Sequence, residues 1–324
     1  MKITFLISLH FLEIIGHLGR GDKINDTTFI SNDISLIDEL VPENMIPLIG
    51  ILEFDALKSN KAFIYSKEEI DDNTDPELYL VEKLYSIQLF ISTFWMHQDN
   101  NINFEQGFIF YASKTHSIAG SNFLSPTNTL ATGKKELTIV TREILREIRK
   151  EHSKRKDISP NIVKDDNSYN HTHSTQLLKG RTRVTIALYH ISAARAESDL
   201  GLKISHYCSS LEALFSSSQA ELAHQLSERL AFFISNSNEA KLSIYRKTKL
   251  SYTMRSRVVH GATIKENALE KMIESSVFCD SSLRKAIKKI TTDKDLMELF
   301  EGKEEPLNNY MLNLIFGVNE TKAT

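Results

Sequence analysis

Apolar residues recur at helical spacing through the second half of the chain. Val184, Ala187, Leu188, Ile191 and Ala194 form one stripe, and Ile204, Tyr207, Cys208, Leu211 and Phe215 form another. Leu222, Leu226, Leu230 and Phe233 make a third, and Leu250, Met254 and Val258 belong to a fourth. A further helix is expected over 266–290. Each stripe must bury itself against another, and strand signals are nearly absent, so this half is predicted to be a helical bundle.

The first half mixes two periods. Ile3 to Ile15 and Phe104 to Ala112 are strand-length runs rich in β-branched and aromatic residues. Pro76 to Met96 predicts a helix, with Leu80, Leu84, Ile87, Ile91 and Phe94 on one side. Glu136 to Lys150 predicts a charged helix with Leu137, Val140, Ile144, Leu145 and Ile148 inward. The polar stretch from His152 to Lys179 has little apolar periodicity and reads as a linker or long loop. The expected organisation is therefore mainly α: an α+β domain over 1–155, a linker over 156–178, and a helical domain over 179–324.

Composition narrows the class. The 324 residues are 41% hydrophobic and 25% charged, enough for two packed cores. The net charge of −3 provides no global basic field, so nucleic-acid binding would need a local patch. The two cysteines, Cys208 and Cys279, are not spaced for zinc, and a reduced, cytoplasmic setting is expected. The apolar run from Met1 to Leu18 is interrupted by His10, Glu13 and His17 and lacks a cleavage site, so it is not read as a signal peptide. No stretch of about 18 uncharged apolar residues suggests a membrane span.

Tyr252 to Gly261 (YTMRSRVVHG) concentrates the candidate chemistry. Gly261 suits a left-handed helix stop. At about 100° per residue, Leu250, Met254 and Val258 face the core, while Tyr252, Ser256 and Val259 lie roughly opposite. Arg255 and His260 flank that second face, which Tyr245 shares. A helix apolar on two sides is expected to use one for its own domain and the other for a second copy, giving a dimer whose interface carries Arg255 and His260. Glu212, beside an apolar stripe, needs a partner and could orient Arg255 or His260. Arg257 falls near the edge of the core stripe and reads as structural or phosphate-steering. Arg246, Lys247 and Lys249 form a basic cluster on the same helix that fits a solvated face or a guide for RNA phosphate equally well, and further basic runs, which usually are solvated faces, lie at 149–156 and 284–289. His171 and His173, with Asn170, invite a metal reading, but two histidines in a polar loop fit solvation better, as His97 fits a core edge or loop. No metal or other cofactor is expected.

The segment resembles the signature of the Apea-like branch of the HEPN superfamily, an Arg followed four to six residues later by a His, here Arg255 and His260. Tyr252, Ser256, Val259 and Gly261 match around it. Leu211-Glu212-Ala213-Leu214-Phe215 and Glu221 to Ala231 resemble the family's preceding helices. The likeness covers 180–262, with a weaker echo at Phe94-Trp95-Met96 and Asp99-Asn100-Asn101.

The resemblance implies a homodimeric, metal-independent endoribonuclease. His260 would act as the base for the ribose 2′-OH, and Arg255 would stabilise phosphate charge, leaving 2′,3′-cyclic phosphate and 5′-OH ends. Ser256, Tyr252 and Glu212 would support the pair. It also implies a toxin-like or anti-phage role, with the N-terminal domain sensing a phage or regulatory protein trigger. The alternative is a non-catalytic HEPN module for dimerisation or for nucleotide or protein interaction. A toxin silenced by nucleotidyl transfer onto a tyrosine two residues past the histidine is disfavoured, because Ala262 stands there.

Overall fold

The structure, a computed structural model, describes residues 1–112, 116–124, 128–155, 182–217, 222–261 and 268–318. It is mainly helical, with an α+β N-terminal region. Two compact units emerge: Met1–Asn128 with Lys135–Asp157, and Thr129–Lys134 with Ile158–Thr324. The short segment Thr129–Lys134, which the sequence leaves in the first half, thus belongs to the second unit. The expected linker, and with it Asn170, His171 and His173, lies outside the described residues.

The first unit is organised by β1 (Lys2–Leu9), whose side chains alternate between two buried faces. It pairs antiparallel with β5 (Ala62–Glu69) and β6 (Gln106–Ala112). The sheet order is β3-β4-β5-β1-β6-β7, with β3 (Asp22–Lys23), β4 (Thr28–Ser31) and β7 (Ser117–Phe123) toward the edges. Ile3, Phe5, Ile7 and Leu9 pack under α4 (Pro76–His97) and α5 (Arg142–Arg155). Leu6, Phe63 and Phe108 pack on the other face, with α1 (Ser35–Leu40) and α3 (Ile51–Ser59); α2 (Ile46–Ile49) lies between these two helices in sequence. Asp75 caps α4 by accepting from the Glu77 N–H, with Pro76 in the first turn.

Two N-terminal expectations change. The run from Ile3 to Ile15 breaks at Phe11, which adopts a positive φ of 59°, and β2 (Leu12–Ile15) leaves the main sheet. It pairs in parallel with β8 (Thr138–Thr141). β8 occupies the start of the region read as a helix, because Thr138, Ile139, Val140 and Thr141 are β-branched and favour a strand; the helix begins at Arg142. Phe94, Trp95 and Met96 are buried at the end of α4. His97 closes that helix and pairs with Glu151 at 2.8 Å. Asn101 accepts the Glu136 N–H at 3.1 Å, and Asn100 accepts that of Ile102 at 3.2 Å. These bonds give the motif a structural role.

The second unit contains α6 (Arg183–Ala196), α7 (Leu200–Phe215), α8 (Leu222–Ile234), α9 (Asn238–Val259) and α10 (Leu269–Thr292). The first four stripes lie on α6 to α9 as the periodicity predicts. α11 (Lys294–Glu301) and α12 (Glu304–Phe316) extend the bundle beyond the expected helices. Thr182, Asp199, Ser237 and Asp293 each cap a helix with a side-chain oxygen. Phe215, Phe233 and Phe300 form an aromatic cluster, with centroid separations of 5.4, 5.9 and 5.3 Å.

α6 and α7 form an antiparallel hairpin centred near Ser198, so residues equidistant from it meet. The fully buried Lys203 ammonium donates to the Ala194 carbonyl at 2.7 Å, and the Ser210 hydroxyl to the Ala187 carbonyl at 3.0 Å. Asp280 on α10 is also buried, accepting from the Tyr207 hydroxyl at 3.0 Å and pairing with Arg284. These partners offset the cost of burying charge. Among the described residues, no helix is long and apolar enough to cross a membrane.

Candidate active site

α9 packs against α7, α8 and α10, and its last turns carry the candidate residues. Met254 is buried, and Leu250 and Val258 pack with it against Ile204, Cys208 and Met272. This is the inward stripe that helical spacing predicts. The first turn of α7 comes close because residue 201 is glycine. A Cβ there would stand 2.9 Å from both Val258 methyl groups. Gly201 therefore lets α7 pack against the C-terminal end of α9.

Tyr252 departs from its expected outward position. Its ring packs against the same cluster, and its hydroxyl donates to Glu212 Oε1 on α7 at 2.5 Å. The Arg255 guanidinium lies over the Tyr252 ring, 5.3 Å from its centroid, and 3.7 Å from the same Glu212 oxygen. One Arg255 nitrogen also donates to the Tyr252 hydroxyl at 3.5 Å. Glu212 therefore orients Arg255. At 3.7 Å the ion pair is loose beside the 2.7–2.9 Å usual for charge-assisted bonds, and the arginine side chain keeps 29% of its exposure. Burial and the bond to Glu212 push the Tyr252 phenol far above its ordinary range. The phenol consequently remains a donor, and Glu212 remains the acceptor that holds Arg255.

The helix ends as expected. His260 is its C-cap, its N–H bonded to the Ser256 carbonyl at 3.1 Å, and Gly261 turns the chain with a φ of +65°. The His260 ring is exposed and has no hydrogen-bond partner among the described residues. Val259 beside it is 57% exposed, and Ser256 is partly buried. Arg255 and His260 make no bond to each other. On an α-helix, five residues separate two side chains by about 7.5 Å along the axis and about 140° around it.

The remaining basic residues scatter. Arg257 is exposed, not at the core edge as its helical angle predicts. Arg246 is exposed, Lys247 pairs with Glu274 at 3.3 Å, and Lys249 lies 5.6 Å from the Tyr245 ring centroid. Cys208 and Cys279 are free, buried thiols. The hydrogen bond its S–H donates to Cys279, together with full burial, holds the Cys208 thiol well above its usual range, which makes it unreactive.

Two residues escaped the sequence reading. His190 on α6 and His206 on α7 face each other across the hairpin, with ring centroids 6.0 Å apart. His190 Nδ1 is buried without a hydrogen-bond partner among the described residues. Burial, and then the nearby His206, lower the His190 pKa, while the charge of Glu212 opposes them. The two meet only through the hairpin, whose centre near Ser198 lies equidistant from 190 and 206.

No protein-family model matches the chain, and neither does any curated protein or solved structure.

Proposed function

We propose that the second unit is a metal-independent endoribonuclease of the HEPN type, with Arg255 and His260 as its reacting residues. One relationship carries the reading. Glu212 and Tyr252 grip Arg255 from behind, while a free, exposed His260 ring stands at the end of the same helix. The grip reduces the entropy lost when the guanidinium meets a phosphate. The exposed imidazole is a side chain of the type that serves as a general base.

In the proposed reaction His260 removes the proton from a ribose 2′-OH. That oxygen bonds to the adjacent phosphorus while Arg255 stabilises the non-bridging oxygens. The bond from phosphorus to the 5′ oxygen breaks, and a second imidazolium protonates the departing oxygen. The angular separation of Arg255 and His260 on one helix favours a composite site, in which a second copy supplies that imidazolium. The exposed Val259 and the half-exposed Leu242 lie on the α9 surface available for such pairing. The first unit would then restrain or trigger the nuclease, in a toxin-like or anti-phage role, within the cytoplasm.

The test is the chemistry of the ends. Cells making the wild-type chain should accumulate RNA with 2′,3′-cyclic phosphate and 5′-OH ends that are absent with His260→Ala. The purified protein should form the same ends in EDTA. Loss of cleavage on chelation, restored by magnesium or manganese, contradicts the acid–base scheme. One observation favours a second reading, a non-catalytic dimerisation module: the Glu212–Arg255 pair is also what a purely structural arginine would make. That reading expects no new RNA ends from either chain.

A further inference from the structure

The first unit carries a cleft of about 430 Å³ between α5 and the turn that joins β3 to β4. Arg146, Arg149, Lys150 and Ser153 line it from α5, at the spacing that puts side chains on one helical face. Lys23, Ile24, Asn25 and Asp26 form the opposite wall. The opposite stripe of α5, Leu145 and Ile148, is buried in the core, so the basic stripe is held rigidly over the cleft.

The cations in this cleft have different duties. Arg149 is committed to the fold: it donates to the Lys23 carbonyl and pairs with Asp22 at 3.2 Å. Arg142 takes the other Asp22 oxygen at 2.9 Å. Asn25 spends its side-chain oxygen on the backbone N–H groups of Thr27 and Thr28. Lys23, Arg146 and Lys150 are exposed and have no carboxylate partner among the described residues, and Asp26 is the only acid lining the cleft. Three unpaired cations against one anion thus converge in a chain whose overall charge is −3. Burial lowers the Arg149 pKa, and nearby Arg142 and Arg146 lower it further against the pull of Asp22. The cleft is therefore a local concentration of positive charge that an anion would complement.

We propose that this cleft binds a small polyphosphate-bearing molecule, which makes the first unit a receptor for a phosphorylated ligand. Its volume falls within the roughly 300–1,000 Å³ of small-molecule sites and exceeds what a single orthophosphate fills. Three uncommitted cations call for a ligand with at least two negative charges. The lining holds one apolar side chain, Ile24, so charge rather than stacking supplies the recognition. The cations are confined to one face of α5 and one facing turn, which fits a compact ligand better than the extended backbone of RNA. The proposal stands independently of the ribonuclease reading.

The experiment is calorimetric titration of the full-length chain with sodium tripolyphosphate and with ATP, at an ionic strength of about 0.15 M so that diffuse attraction is screened. Saturable binding of one ligand per chain is expected. Arg146→Ala or Lys150→Ala should each weaken it by about tenfold, and the pair together by about a hundredfold, as for lost charge-assisted bonds. Both side chains are exposed on α5, and unchanged thermal melting will show that the variants fold. Lys271→Ala with Lys285→Ala removes the same formal charge from exposed sites in the second unit and should leave affinity unchanged. Three outcomes overturn the proposal: no saturable binding of either probe, equal losses in the Lys271/Lys285 control, or binding of an RNA oligonucleotide through Arg146 and Lys150 without binding of tripolyphosphate.

Discussion

The Tyr252 hydroxyl donates to Glu212 Oε1 at 2.5 Å, and this bond ties the C-terminal end of α9 to α7. Arg255 rests on both partners, over the Tyr252 ring and beside the Glu212 carboxylate. Tyr252→Phe keeps the ring and removes the bond. It should lower stability by about 1–2 kcal/mol, the range for a hydrogen bond to a charged group that is partly exposed. Cleavage should fall further than stability, because Glu212 is then free to leave Arg255. Chemical denaturation and a cleavage assay on the same preparation separate the two effects. A cleavage rate unchanged by Tyr252→Phe would argue against positioning through this bond.

Close approach at Gly201 should be equally sensitive. In most helices Gly→Ala stabilises by roughly 0.5–1 kcal/mol. Here the added methyl meets both Val258 methyl groups at 2.9 Å, so the sign reverses. A loss of about 1–3 kcal/mol is expected from overpacking, with reduced cleavage as the end of α9 is displaced. Val258→Ala should rescue much of the loss in Gly201→Ala, which a double-mutant cycle will measure.

pH dependence is expected at both ends of the scale. The Tyr252 phenol is raised above the value of about 10 that it has in the unfolded chain. Its contribution to stability is complete below about pH 10 and is lost as the pH rises above it, because the unfolded chain releases its proton first. Burial lowers the pKa of His190, so there the unfolded chain takes up the proton first. That contribution is present above about pH 6.5 and is lost on acidification. Denaturation midpoints across pH should fall less steeply in alkali for Tyr252→Phe, and less steeply in acid for His190→Gln.

Pairing of two copies through α9 makes Val259 a sensitive position. Val259→Glu changes a side chain that is 57% exposed in the single chain, so the monomer should keep its melting temperature. Sedimentation should then show loss of the dimer, and cleavage should fall with it. A wild-type chain that sediments as a monomer while cleaving RNA would remove the composite site.

The inward stripe of α9 and its glycine stop were legible in the sequence, because local periodicity and cap chemistry determine both. The position of Tyr252 was not. Helical angle gives a residue's direction but not where the neighbours lie: Tyr252 packs on the cluster and reaches Glu212 on α7, while Arg257 is exposed. The need of a buried acid for a partner pointed to Arg255 or His260, and the structure pairs Glu212 with Arg255. His190 and His206 were missed because they meet only through the hairpin, although the turn near Ser198 places them opposite each other. β8 was hidden inside a charged helical pattern because its partner, β2, lies more than a hundred residues away in sequence.

The most direct test compares the single-turnover rate of RNA cleavage by the purified wild-type chain with that of His260→Ala. Both are first shown to have the same melting temperature and the same oligomeric state. Removing a general base should slow cleavage by about 10²–10⁴-fold, while Arg257→Ala, an exposed neighbour on the same helix, should have a much smaller effect. A well-folded His260→Ala protein that cleaves RNA at the wild-type rate would contradict the assignment of the reaction to this site.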